Sequence, residues 1–179
     1  MFLLVALWAL AEATVFFIVA DVPIMALAAK RGVHAGIMAA WIGALSAALG
    51  GLVVWLWGGF DPRGFDAFAI ALPGIDAELV AQTRADWAEN GFLAMLTGSF
   101  GGTPYKLYAA AAGYAGSYGL IGFILLSVVA RLPRFMLVAV AGGWLGPRLR
   151  ARLGERNFWI AFVAAWVLFY AAYFTAMGW

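Results

Sequence analysis

Long apolar runs alternate with short polar interruptions along the chain, and the interruptions carry the information. Residues 34–58 and 157–178 contain no charged side chain, and each exceeds the roughly 20 residues a helix needs to cross hydrocarbon. Both predict ordinary transmembrane helices. Residues 118–146 predict a third, but Arg131, Pro133 and Arg134 stand in its middle. Pro133 removes the amide that would bond the carbonyl of Val129, so a kink or break is expected there. Residues 1–29 are apolar apart from Glu12 and an interruption at Asp21 and Pro23, which leaves a hairpin over 1–32 and a full span both open. Residues 91–116 are apolar around a glycine-rich break, Gly98 to Pro104. In the polar stretch 60–90, Ile75, Leu79, Val80, Thr83 and Trp87 fall on one helical face, and Asp76 is placed to cap its start. That pattern predicts a short amphipathic helix, lying on the membrane surface or packed on the protein's own loops.

Composition fixes the class. With 66% hydrophobic and 11% charged residues, the chain reads as a single all-α integral membrane domain over 1–179. The net charge of +2 is not gathered on a soluble face, so nucleic acid is not an expected partner. Cysteine is absent, which removes disulfides and thiolate metal sites. The first segment lacks a basic n-region and carries Glu12 within its apolar stretch, so it reads as retained structure and not as a signal peptide. No serine–histidine pair, metal-binding helix or paired catalytic aspartates is recognisable, so no enzyme, metal or cofactor is expected. His34, beside Lys30 and Arg31, reads as a loop residue.

Loop charges set the expected orientation. Lys30 and Arg31 precede the first clean span, and Arg148, Arg150, Arg152 and Arg156 lie between the last two, whereas 60–90 holds six acids against Arg63 and Arg84. The positive-inside rule puts both basic loops in the cytoplasm and the acidic stretch outside. The segment 91–116 must then enter from outside and return, as a re-entrant hairpin. Pro23 and Pro104, Gly32 and Gly113, and Ser46 and Ser127 share one common offset. With the loop charges, that offset suggests two opposed hairpins, an inverted repeat.

The interruptions also point to chemistry. An arginine at mid-bilayer costs roughly 2.5–3.5 kcal/mol on insertion scales, so Arg131 and Arg134 mark a site. Backbone freed at Gly101 and Gly102 must be buried in protein or line a wet cavity. Thr103 can cap the following helix and Pro104 suits its first position. Lys106 then sits in the first turn, where a cation opposes the helix dipole unless an anion faces it. Glu12 and Asp21 can serve as counter-ions to the arginines or as proton carriers. Two acids against three bases leave one surplus cation, which a phosphate would neutralise. Tyr105 reads as a packing or interface residue.

The stretches LAEATVFFIVADVP, GSFGGTPYKLYAAAAG and ARLPRFMLVA resemble three signatures of the DedA, or VTT-domain, membrane proteins, in the branch with a proline-tyrosine-lysine motif. The resemblance implies a multi-pass bacterial inner-membrane protein with two opposed re-entrant hairpins, about three transmembrane helices and a surface helix. It also implies movement of a lipid with an anionic head group, such as undecaprenyl phosphate or a phospholipid, between leaflets, in some relatives with proton coupling. Carried over by motif, the positions of interest are Glu12, Asp21, Pro104, Tyr105, Lys106, Arg131 and Arg134, to which the break adds Thr103 as a binding residue. An ion or small-solute transporter using the same hairpins is the alternative, and a homodimer is left open.

Overall fold

The computed structural model describes residues 1–177, in which nine helices and no strand occur. They are α1 (Phe2–Glu12), α2 (Asp21–Arg31), α3 (Val33–Phe60), α4 (Pro62–Ile70), α5 (Ala77–Asn90), α6 (Phe92–Gly101), α7 (Tyr105–Tyr114), α8 (Gly119–Leu153) and α9 (Glu155–Met177). Three of them, α3, α8 and α9, are long and apolar enough to cross a membrane. Residue 178, the last of the expected span at 157–178, lies outside the described residues.

Two short helices followed by a long one occur twice, as α1–α2–α3 and as α6–α7–α8. The long helices pack on each other, and each also packs on the second short helix of the other half, α3 on α7 and α8 on α2. Lipid tails are as apolar as leucine, so such contacts rest on close van der Waals approach. The inward face of α3 is accordingly built of small residues, from Gly36 through Ala40, Ala44 and Ala47 to Gly58. A Cβ at Gly51 would lie 2.0 Å from the hydroxyl of Tyr105, and one at Gly113 would lie 1.9 Å from the carbonyl of Trp55. Only glycine admits those crossings.

Helix α8 corrects two expectations. It is continuous through Pro133, whose side chain is exposed on the outer face, so no break occurs beside the arginines. It also runs on past residue 146 to Leu153, about 52 Å at 1.5 Å per residue. Arg148, Arg150 and Arg152 therefore stand on a helix, and only Gly154, at φ 78°, separates α8 from α9. Arg150 donates to the carbonyl of Ala29 at 3.2 Å, which brings the basic end of α8 beside Lys30 and Arg31.

Smaller departures have local causes. Pro23 lies within the first turn of α2, and the first break spans residues 13–20 ahead of it. Pro104, not Thr103, occupies the cap of α7, with no side-chain cap bond. Gly32 ends α2 at φ 87°, whereas Gly113 serves close helix packing, so those offset-related glycines do different work. His34 sits in the first turn of α3 and not in a loop. Asp76 does cap α5, accepting from the amide of Leu79 at 2.7 Å. Ile75, Val80, Thr83 and Trp87 are buried against the protein, where α5 packs on α6 and α7. Residues 62–70 add α4, which Asp61 caps by accepting from the amide of Gly64 at 2.9 Å.

Candidate functional site

The two breaks border one cavity, and their loose backbone groups are met by side chains from elsewhere. Lys106, second residue of α7, donates to the carbonyl of Phe16 at 2.8 Å. Trp8 donates to the carbonyl of Ile18 at 3.0 Å, and the amide of Val19 donates to the hydroxyl of Tyr170 at 2.7 Å. From α8, Arg134 donates to the carbonyl of Ser99 at 2.5 Å, in the last turn of α6. Arg134 thus lies at the carboxyl end of α6, where the helix dipole favours a cation.

The acids are taken by the arginines. Arg131 is ion-paired and hydrogen-bonded to Glu12, both buried. Asp21 opens α2, where a carboxylate suits the dipole, and pairs with Arg134 through Nε at 2.8 Å and Nη2 at 2.5 Å. The guanidinium carbon of Arg131 lies 5.0 Å from the ring centre of Tyr105 and 4.7 Å from that of Phe135, a cation–π sandwich. Tyr105 in turn donates to Ser127 Oγ at 2.8 Å. Lys106 is as buried as Arg131, yet among the described residues it forms no ion pair.

These groups surround one cavity of about 90 Å³. Of the residues expected from the sequence, Glu12, Gly102, Thr103, Pro104, Tyr105, Lys106, Arg131 and Arg134 line it. Asp21 stands behind Arg134 and faces a neighbouring hollow against α9. Pro23 is buried in α2, and Gly101 is exposed on the outer side of the second break. Phe169, Tyr170 and Tyr173 close the cavity from α9. Nothing in the local sequence pattern of α9 separates Tyr170 from its aromatic neighbours. The carbonyls of Phe16 and Ser99 were equally hidden, since any residue supplies one.

Magnitudes decide what the ion pairs are for. Replacing a buried pair by apolar residues of similar volume is often neutral or stabilising, while removing one partner costs about 3–5 kcal/mol. Fold stability alone therefore gives no reason to place three cations and two acids here. The arrangement can hold an anion: Lys106 supplies an ammonium outside any ion pair among the described residues, Arg134 a donor fork with 23% of its side chain accessible, and Thr103 a hydroxyl.

Fold and site together define an all-helical protein with three membrane-compatible helices, two of which, α8 and α9, line a cation-rich cavity. No protein-family model, curated protein or solved structure matches the chain.

Proposed function

We propose that this chain is a lipid transporter of the DedA, or VTT-domain, type, a flippase or scramblase that moves a phosphate-bearing lipid between the leaflets of the bacterial cytoplasmic membrane. The observation that carries the reading is the ammonium of Lys106, which lines the cavity and meets a backbone carbonyl but forms no ion pair among the described residues, while Arg131 and Arg134 each have an acid of their own. A phosphate entering the cavity restores charge balance. Undecaprenyl phosphate and phospholipids both supply that group.

In this reading α1–α2 and α6–α7 are two re-entrant hairpins that enter from opposite faces and meet at mid-depth. The exchanged packing, α3 on α7 and α8 on α2, supports an inverted repeat. The junction of Arg150 with Ala29 supports one shared cytoplasmic face for the basic clusters. Arg134 is the exchangeable member, because it is the more accessible arginine and its partner Asp21 has an oxygen, Oδ1, without a hydrogen bond. A lipid phosphate that takes Arg134 frees Asp21 to accept a proton, which is the step at which coupling to a proton gradient enters.

The small volume of the cavity favours a second reading, transport of a small anion or solute by the same hairpins. Purified protein in liposomes separates the two. Leaflet exchange of labelled phosphatidylglycerol or of a labelled polyprenyl phosphate is expected, without uptake of inorganic phosphate. Phosphate uptake without lipid exchange would reverse the assignment.

A further inference from the structure

The cavity is too small for a lipid. Its 90 Å³ takes a few waters or one small anionic group, so the hydrocarbon of any lipid held there must leave through the wall. One wall is α9, the least embedded of the three long helices, with 11% of its apolar window buried. Tyr170 of that wall and Phe17 of the first break also border a second hollow of about 420 Å³. It runs between the first break and α9, with Trp8, Ile18 and Val22 on one side and Val163, Trp166 and Val167 on the other. The Tyr170 hydroxyl is engaged with Val19, and the Trp8 indole with Ile18. The hollow therefore presents hydrocarbon and ring faces with little polar surface.

We infer that this hollow seats one hydrocarbon chain of the lipid whose anionic group lies in the cavity, with Phe17 and Tyr170 at the junction of head and chain. The inference rests on the lipid reading above. Continuity with the cation-rich cavity is the first reason, because an amphiphile anchored by its charge at Lys106 and Arg134 has its chain beginning where these two rings stand. The second is the character of the walls. Helix–helix seats in membranes are made of small residues that let backbones approach, as on α3, whereas this hollow is bordered by Phe, Trp, Val and Ile. Such bulky walls suit a flexible chain and not another helix. Val163 and Val167 are more than half exposed and form the lip through which a chain passes sideways into the bilayer.

The full chain tests this in two measurements. In liposomes, Val167→Trp fills the hollow and Leu168→Trp places the same bulk on the outward face of α9. The first is expected to lower phosphatidylglycerol exchange at least tenfold, with inorganic phosphate binding unchanged, and the second to leave exchange at the wild-type rate. Wild-type exchange by Val167→Trp, while Arg134→Ala loses it, would overturn the chain seat and leave the lipid reading standing; no exchange by the unmodified protein would remove both. The second measurement needs no bulky substitution. Fluorophores on Val167→Cys and Leu168→Cys, in detergent with a few brominated-chain phosphatidylglycerol molecules per protein, are expected to be quenched at 167 and spared at 168. Equal quenching would mean annular lipid only and would also overturn the seat.

Discussion

Arg134 grips Asp21 by a single carboxylate oxygen, with Nε at 2.8 Å and Nη2 at 2.5 Å from Oδ2, while Oδ1 has no hydrogen bond among the described residues. Its remaining nitrogen, Nη1, reaches the carbonyl of Ser99. One side chain from α8 thereby joins the start of α2 to the end of α6. Planar donors in a fixed fork make that three-way junction, and a lysine ammonium, a point charge on a flexible stem, cannot reproduce it.

From this geometry, Arg134→Ala is predicted to cut lipid exchange in liposomes by at least an order of magnitude, and Arg134→Lys to retain only part of the rate. Asp21→Asn should weaken the response of exchange to an imposed proton gradient, since it removes the acid that Arg134 releases. A wild-type rate in Arg134→Ala would make the residue a structural tie and nothing more.

Glu12 and Arg131 form the enclosed pair, with 8% and 4% of their side chains accessible. Glu12→Gln leaves the guanidinium without its counter-ion among the rings of Tyr105 and Phe135. The predicted loss of stability is about 3–5 kcal/mol, and the double variant Glu12→Gln with Arg131→Gln should recover much of it, because the stranded charge is gone. Unfolding in detergent, followed by circular dichroism, measures both. Equal losses in the single and double variants would contradict the pairing.

Gly51 offers a purely steric test. Its Cβ position lies 2.0 Å from the Tyr105 hydroxyl, so Gly51→Ala must push that ring away from Ser127 or separate α3 from α7. Overpacking of this kind costs about 1–3 kcal/mol. Gly101→Ala is the control, since a Cβ there meets nothing within 4 Å, and it should stay within about 0.5 kcal/mol of the wild type. A tolerant Gly51 would mean that the approach of Tyr105 to α3 is looser than drawn.

What the sequence made legible was whatever is expensive. Buried charge and freed backbone in an apolar chain cost enough to stand out, and Glu12, Lys106, Arg131 and Arg134 do surround one cavity. Cheap features misled. Pro133 predicted a kink or a break, and of these the break does not occur, since a proline on the exposed face of α8 leaves the helix continuous. Arg148 to Arg152 read as a loop because charge usually ends a span, whereas a helix may continue into water with no change of backbone. Partners that act through carbonyls, such as Phe16 for Lys106, leave no mark in the sequence. The closing of the cavity by Tyr170 was hidden too, since it depends on α9 folding back after a single glycine.

The last prediction concerns the sidedness on which an inverted repeat depends. The chain contains no cysteine, so single substitutions report without background. His34 stands exposed at the start of α3, Arg152 near the end of α8, and Glu78 is exposed in the first turn of α5. The first two belong to one end of the bundle, tied by Arg150 to Ala29. α4 and α5 follow the far end of α3, about 42 Å away along a 28-residue helix. In sealed vesicles a membrane-impermeant maleimide is therefore expected to label His34→Cys and Arg152→Cys from one face and Glu78→Cys from the other. Gly32 is avoided as a probe, because at φ 87° any side chain there strains the turn. Labelling of Glu78→Cys from the same face as His34→Cys would mean that α3 does not cross, and the opposed hairpins would fall with it.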